Sequence, residues 1–281
     1  MTAITEPGVY SLPDEVYHAD PVPGGSLSAS GAKTLLRAPA LFQWEREHGR
    51  PPKREYDLGH AAHKLVLGVG AELAIVDAPD WRTKAARQQR DEAREAGRVP
   101  ILAHEHEQVQ AMAAALRRHP VASKLLDPDR GGQPEQSLFW RGEENVWLRA
   151  RLDWLPNMDG PHRPIIADYK TCDSASLPSV RRAVANYGYY IQDAWYRSAV
   201  DNVLGAQAAF CFIFQERTPP YLVTVVQLSE EAQAAGRRAM SRAIEIYRDC
   251  TESGIWPGYV GDYEIPEIDL PPWTDRYEEY A

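Results

Sequence analysis

Seven consecutive residues, Ile165, Ile166, Ala167, Asp168, Tyr169, Lys170 and Thr171, constrain this chain more than any other stretch. An apolar run that then offers a carboxylate and an ammonium two positions apart reads as a β-strand, whose alternate side chains share a face. Asp168 and Lys170 are expected to point one way and Tyr169 the other, into packing. A carboxylate suits a hard divalent cation such as Mg²⁺, and a lysine beside it can hold an attacking water or stabilise charge on a phosphate. The same residues also make an ordinary ion pair across a half-exposed strand, so the pair alone does not decide between chemistry and packing.

The neighbouring segments add to it. After the turn-forming run Asp127, Pro128, Asp129, Arg130, Gly131 and Gly132 the periodicity changes from helical to extended. One strand is expected over 135–140, a hairpin connection over 141–144, and a second strand over 146–155 with Trp147, Arg149, Arg151 and Asp153 on one face. With 165–171 as the third, consecutive antiparallel strands bring Glu135, Asp153 and Asp168 together beside Lys170. Three carboxylates and a lysine on adjacent strands are far more specific than Asp-x-Lys, and they favour a metal-dependent nuclease site over a structural cluster. Upstream, residues 58–67 read as a helix in which Gly59, Ala61 and Ala62 permit close backbone approach and His63 shares the core side with Val66 and Leu67. His63 can reach a metal or a catalytic carboxylate, or be a satisfied core histidine; His60, a turn earlier, is less well placed.

The rest of the chain supplies helices, strands and basic points. An extended lead-in over 8–18 ends in turns at 21–25, and Ser26, Ser28 and Ser30 are N-cap candidates for a short helix carrying Lys33 and Arg37. Pro39 breaks that helix before a second helical turn with Leu41, Phe42 and Trp44. Residues 80–98 hold the best local positive patch, Arg82, Lys84 and Arg87, on a nucleic-acid-facing helix, a flexible arch or a solvated helix. An amphipathic helix is expected over 104–116. From Ser179 a helix carries Arg181 and Arg182 near its start and an aromatic stripe, with Gln192 and Tyr196 sharing a face. Strands over 208–216 and 221–227, a long helix over 229–250 and an irregular tail from Trp256 complete an α/β chain.

Composition sets limits on function. The 281 residues, 44% hydrophobic, suffice for a single domain, here divided into 1–57, 58–228 and 229–281 as extension, core, and final helix with tail. A net charge of −9 is unusual for a protein that grips nucleic acid, so phosphate contacts must come from local patches such as Lys33, Arg37, Arg82, Lys84, Arg87, Arg149, Arg151, Arg181 and Arg182. Cys172, Cys211 and Cys250 lie far apart, which suggests neither a disulfide framework nor a zinc site. The start shows no signal-like segment and no run reaches membrane-span length, so a soluble cytoplasmic protein without membrane contact is expected.

Taken in order, these pieces resemble the phage and prophage RecE-type exonucleases (exodeoxyribonuclease VIII) of the PD-(D/E)xK nuclease superfamily. The resemblance rests on Gly8-Val9-Tyr10 and Tyr17-His18, Ser26-Leu27-Ser28, Pro39 to Phe42 with Trp44, residues 58–63, Glu135, Asp153, Asp168-Tyr169-Lys170-Thr171, and residues 192–196. It implies a restriction-endonuclease-like core, a mixed central sheet flanked by helices. By this resemblance His63, Glu135, Asp153, Asp168 and Lys170 form the active centre, with Gln192 and Tyr196 as the motif of the helix packed against it. Asp153, Asp168 and the Tyr169 carbonyl are then expected to hold Mg²⁺, with Mn²⁺ as a substitute, while Glu135 and His63 complete or flank a second position and Lys170 orients the water and assists its deprotonation. The resemblance further implies 5′-to-3′ digestion of linear double-stranded DNA to leave 3′ single strands, a RecT-type single-strand annealing partner, and a ring-shaped homo-oligomer, commonly a tetramer. A basic channel inside an acidic ring would reconcile charge with substrate. Site-specific or structure-specific endonucleases and noncatalytic DNA-end-binding proteins share this core. Iron–sulfur nucleases share the motif too, but carry four cysteines where this chain has three.

Overall fold

The computed structural model describes residues 3–49, 54–142, 145–160, 162–261 and 263–271, with backbone only at 54–58 and 60. The first elements are β1 (Gly8–Tyr10), α1 (Asp14–His18), β2 (Leu27–Ser28), α2 (Ala29–Arg37), α3 (Pro39–His48) and α4 (Arg54–Leu67). Then come β3 (Leu73–Val76), α5 (Lys84–Glu95), β4 (Val99–Leu102), α6 (Ala103–Arg118) and α7 (Ala122–Leu125). The central strands β5 (Gln133–Arg141), β6 (Trp147–Leu155) and β7 (Ile165–Cys172) lead to α8 (Leu177–Asn186) and α9 (Tyr189–Leu204). The chain closes with β8 (Ala209–Glu216), β9 (Val223–Val226) and α10 (Glu230–Ser253).

The main sheet runs β1-β5-β6-β7-β8-β9, with β2 beside β6. It is mixed: β5–β6, β6–β7 and β8–β9 are antiparallel, whereas β7 and β8 are parallel along their whole length. Residue alternation sends the two faces of β8 into different cores. Phe210, Phe212 and Phe214 pack with α2, α9 and α10, and Ile213 packs with α4 and α6. A strand buried on both faces explains why 209–215 reads as a nearly unbroken apolar run. The larger core takes Leu27, Leu35 and Phe42 from the N-terminal region, Trp140, Ile166 and Trp195 from the middle, and Met240 and Tyr247 from α10. All three expected regions therefore share one apolar interior.

Local chemistry sets several boundaries. The Ser28 hydroxyl caps α2 by accepting from the Gly31 amide at 3.1 Å. Ala38, the residue before Pro39, is extended, as proline's ring requires of its predecessor, and separates α2 from α3. Beyond Pro39 the expected single turn is a ten-residue helix. The single helix expected from Ser179 is two, because Gly188 adopts φ +60°, a conformation open to glycine, and starts α9 in a new direction. Within 80–98 the chain forms helix α5 from Lys84 to Glu95, with Arg82 of the patch just ahead of it. It crosses between β3 and β4, a parallel pair the sequence did not disclose, and buries Ala86 with Val76 and Leu102. Among the described residues after α10 no helix or strand forms, and the Trp256 ring stacks on Phe42 with centroids 5.6 Å apart. Among the described residues no helix is long and apolar enough to cross a membrane.

Candidate active site

The site lies where β6 and β7 part. These strands pair at Trp154 and Ala167 and diverge beyond, so the Tyr169 amide donates not to a strand carbonyl but to Asp153 Oδ2, at 2.8 Å. On the α9 side of β7, Asp168 and Lys170 point the same way, as period two demands, with Oδ2 and Nζ 2.5 Å apart. Gln192 of α9 donates to Asp168 Oδ1 at 2.6 Å, and Tyr196, one turn on, hydrogen-bonds Gln192. Asp168 is fully buried, and apart from the Lys170 ammonium its Oδ2 has no hydrogen-bond partner. Tyr169 faces the other way, its hydroxyl donating to Gln215 at 2.7 Å inside the α4–α6 core.

On that second side His63 of α4 reaches the strand. Its Nε2 is 3.1 Å from the Tyr169 carbonyl and its Nδ1 is 3.8 Å from Asp153 Oδ2. Ligand-type atoms of His63, Glu135 and Asp153 lie within 4.8 Å of one another. Glu135 sits in β5 with φ +53°, a left-handed conformation that is strained for a non-glycine residue and turns it out of the regular pleat. The three open onto a cleft of about 390 Å³, also lined by Tyr17, Ser30, Lys33, Gln192 and Tyr196.

Electrostatics divides the site. Burial and then the charge of Asp168 push the Asp153 carboxyl well above the usual carboxylate range, against the pull of Lys170 and the Tyr169 amide. Burial and then Lys170 lower the His63 imidazole, favouring its neutral, metal-binding form. Burial opposes the Lys170 ammonium, but Asp168 and Asp153 outweigh it and hold the group protonated beyond its ordinary value. A hard cation fits the cluster: two carboxylates and a neutral imidazole converge on one point, and a proton or a cation there relieves a carboxylate that burial disfavours as an anion. Asp168 stands apart from this triplet, because both its oxygens are engaged by Lys170 and Gln192.

The expected basic contacts fare unevenly. Lys33 lines the cleft, its ammonium 5.1 Å from the Tyr189 ring centroid, and the Lys170 ammonium lies 5.4 Å from that ring's centroid. Arg151 lines the cleft but bonds Glu135 Oε2 at 2.5 Å and the Leu12 carbonyl at 3.1 Å. Arg149, expected to face DNA, is committed instead to Asp20 at 2.6 Å and to the Ser26 carbonyl and hydroxyl, tying the lead-in to the sheet. Arg37, Arg82, Lys84, Arg87, Arg181 and Arg182 are exposed, and none of them lines the cleft; Arg82 pairs with Asp80 and Arg182 donates to Ser179. The His60 side chain lies outside the described residues. The sequence reading missed Tyr17 and Ser30 as cleft residues, treating them as lead-in and cap, and missed Tyr189, which sits in an aromatic run that reads as packing.

Comparison with known proteins follows the same lines. A crystal structure from Eubacterium rectale described as "Putative exonuclease" superposes with a TM-score of 0.62 at 14% sequence identity, covering 94% of this chain and 98% of that one, which shows a shared fold. No curated protein matches the chain. Residues 28–267 match a family model described as a PDDEXK-like domain of unknown function (DUF3799), a span that contains the parting strands, His63, Glu135, Asp153 and the Asp168-Tyr169-Lys170 step. With that match covering most of its length and a mixed sheet flanked by helices to carry it, the chain belongs to the PDDEXK-like family DUF3799.

Proposed function

We propose that the protein is a Mg²⁺-dependent exodeoxyribonuclease of RecE type, with Mn²⁺ as a substitute, digesting linear double-stranded DNA 5′ to 3′. The observation that carries this reading is the convergence of His63, Glu135 and Asp153 on one point of an open cleft, backed by the buried Asp168–Lys170 pair. His63, Asp153, Glu135 and the Tyr169 carbonyl would hold the cation, while Asp168, its oxygens engaged by Lys170 and Gln192, would keep the ammonium beside it. The cation supplies Lewis-acid stabilisation of charge developing on the phosphate and leaving oxygen.

Lys170 has a narrower task than the sequence suggests. An ammonium kept protonated by two carboxylates has no lone pair with which to take a proton from water. It donates instead, orienting the attacking water and meeting the charge that builds on the phosphate. Gln192 fixes Asp168, and Tyr196 fixes Gln192, so the carboxylate presents one geometry. Lys33 stands across the cleft as a phosphate contact. The product strand ending in a 3′ single-stranded tail would pass to a RecT-type annealing protein. A ring-shaped homo-oligomer would keep a protein of net charge −9 on its substrate.

Linear duplex labelled at the 5′ or the 3′ end, with and without Mg²⁺, beside a covalently closed circle, tests the reading. Early loss of the 5′ label with the circle intact is the expected result. Cutting of the circle would replace it with an endonuclease, and cation-independent binding without cleavage would replace it with an end-binding protein.

A further inference from the structure

The stretch before residue 28 lies outside the family match, yet it builds one wall of the cleft. β1 zips it to β5, pairing Gly8 with Phe139 and Tyr10 with Ser137. At its other end Asp20 accepts from Ser26 and pairs with Arg149. Between these anchors the Tyr17 ring packs edge-on against Phe139, and the guanidiniums of Arg149 and Arg151 lie over it at 5.5 and 5.6 Å. Arg151 spends its fork on two partners, the Leu12 carbonyl of this strap and the Oε2 of Glu135.

We infer that residues 8–28 are a working part of the metal centre: Leu12 and Tyr17 hold the Arg151 guanidinium, and Arg151 holds the Glu135 carboxylate in the orientation that faces His63 and Asp153. The inference rests on the cation site proposed above. It gives the left-handed backbone at Glu135 a purpose, since a residue turned out of the pleat needs an external partner to set its carboxylate. It also accounts for a cationic side chain beside a cation site, which by charge alone would weaken binding. Arg151 and Tyr17 are positioning residues, acting through Glu135.

Direct Mn²⁺ binding by the full chain, read by electron paramagnetic resonance without substrate, tests this through a double-mutant cycle. Arg151→Lys keeps the charge and loses the fork that serves both partners. It is expected to weaken Mn²⁺ binding about tenfold, the usual scale for removing a ligand's hydrogen-bond partner. Glu135→Gln is expected to weaken it at least as much, and the double variant no further than Glu135→Gln alone. Tyr17→Leu, which leaves Arg151 and Glu135 in place, is expected to act in the same direction and to fall silent in the Glu135→Gln background; it carries the test if Arg151→Lys fails to fold by thermal melting. Wild-type Mn²⁺ affinity in Arg151→Lys and Tyr17→Leu, or losses that multiply with Glu135→Gln, would overturn this inference alone. Wild-type affinity in Glu135→Gln would overturn the cation site itself, and this inference with it.

Discussion

The two sides of β7 present opposite electrical situations within a few ångströms. Toward α9, Asp168, Lys170 and Gln192 close on one another, each charge answered and the carboxylate fully buried. Toward α4, His63, Glu135 and Asp153 converge at the edge of the open cleft, where Arg151 pairs with Glu135 but no lysine or arginine among the described residues pairs with Asp153. A closed cluster specifies geometry, because a buried ion pair with its hydrogen bonds satisfied has one arrangement. An open cluster stores affinity, because its like charges are relieved by what binds. The site thus divides labour by side: one side positions the reacting groups and the other is shaped for a cation.

The largest effect is expected from Lys170→Gln. An amide can still donate to Asp168, but it brings no positive charge to the phosphate, and cleavage is expected to fall about 10³-fold. Mn²⁺ binding by the other side should not weaken, since the change removes a nearby positive charge. Loss of both in one variant would mean that the two sides are a single unit.

The second test is pH. The Asp153 carboxyl is raised in the folded chain by burial and by Asp168, so its ionisation opposes folding. Without divalent cations, the stability it contributes is complete below the ordinary carboxylate value and is lost as pH rises through the raised one. Lys170 behaves otherwise: raised by Asp168 and Asp153 against burial, its contribution is complete below about 10.4, the ordinary lysine value, and is lost only above that. Thermal melts should therefore show cation-free stability declining from the acidic range upward, with Mg²⁺ restoring more of it at higher pH. Asp153→Asn should flatten both trends. A wild-type protein with a level profile and a pH-independent Mg²⁺ effect would remove the distinction.

Much of the closed side was legible in the sequence, because its logic is local. Period two puts Asp168 and Lys170 together, and helical spacing puts Gln192 and Tyr196 together. The open side was legible as far as consecutive antiparallel strands bring Glu135 and Asp153 into reach, and His63 stood out on its helix as able to reach a metal or a carboxylate or to be a core histidine. What escaped were partnerships across the chain. Arg149 and Arg151 alternate on one face as expected, and a sequence offers no sign that Asp20 and Glu135 already claim them. The break at Gly188 escaped for a different reason: a glycine inside an aromatic, helix-compatible run signals a bend only through its φ, which composition does not carry. The β3–β4 pair escaped because two four-residue strands separated by a helix fall below what periodicity resolves.

A smaller effect is expected from Gln192→Leu. It leaves Asp168 Oδ1 buried without its donor, and a hydrogen bond to a charged group is worth about 1.5–3 kcal/mol. Chemical denaturation should show that loss, with Mn²⁺ affinity unchanged; weaker Mn²⁺ binding would show that α9 also shapes the open side.

The smallest effect belongs to Tyr189, whose ring lies beside both the Lys170 ammonium of the closed cluster and the Lys33 ammonium of the cleft wall. The ammoniums of Lys170 and Lys33 lie over it at 5.4 and 5.1 Å, and they approach from β7 and from α2. A ring face attracts each cation by about 0.5–1 kcal/mol, and here it also keeps two like charges at fixed stations. Burial raises the Tyr189 hydroxyl against the pull of Lys170, so the ring remains a neutral phenol at working pH. The attraction then comes from the aromatic face and not from a phenolate. Tyr189→Phe should therefore cleave DNA like wild type, whereas Tyr189→Leu should lose about three- to fivefold in kcat as Lys170 drifts from its station. Equal losses in both variants would assign the effect to the hydroxyl, and Lys170 would then be held by Asp168 alone.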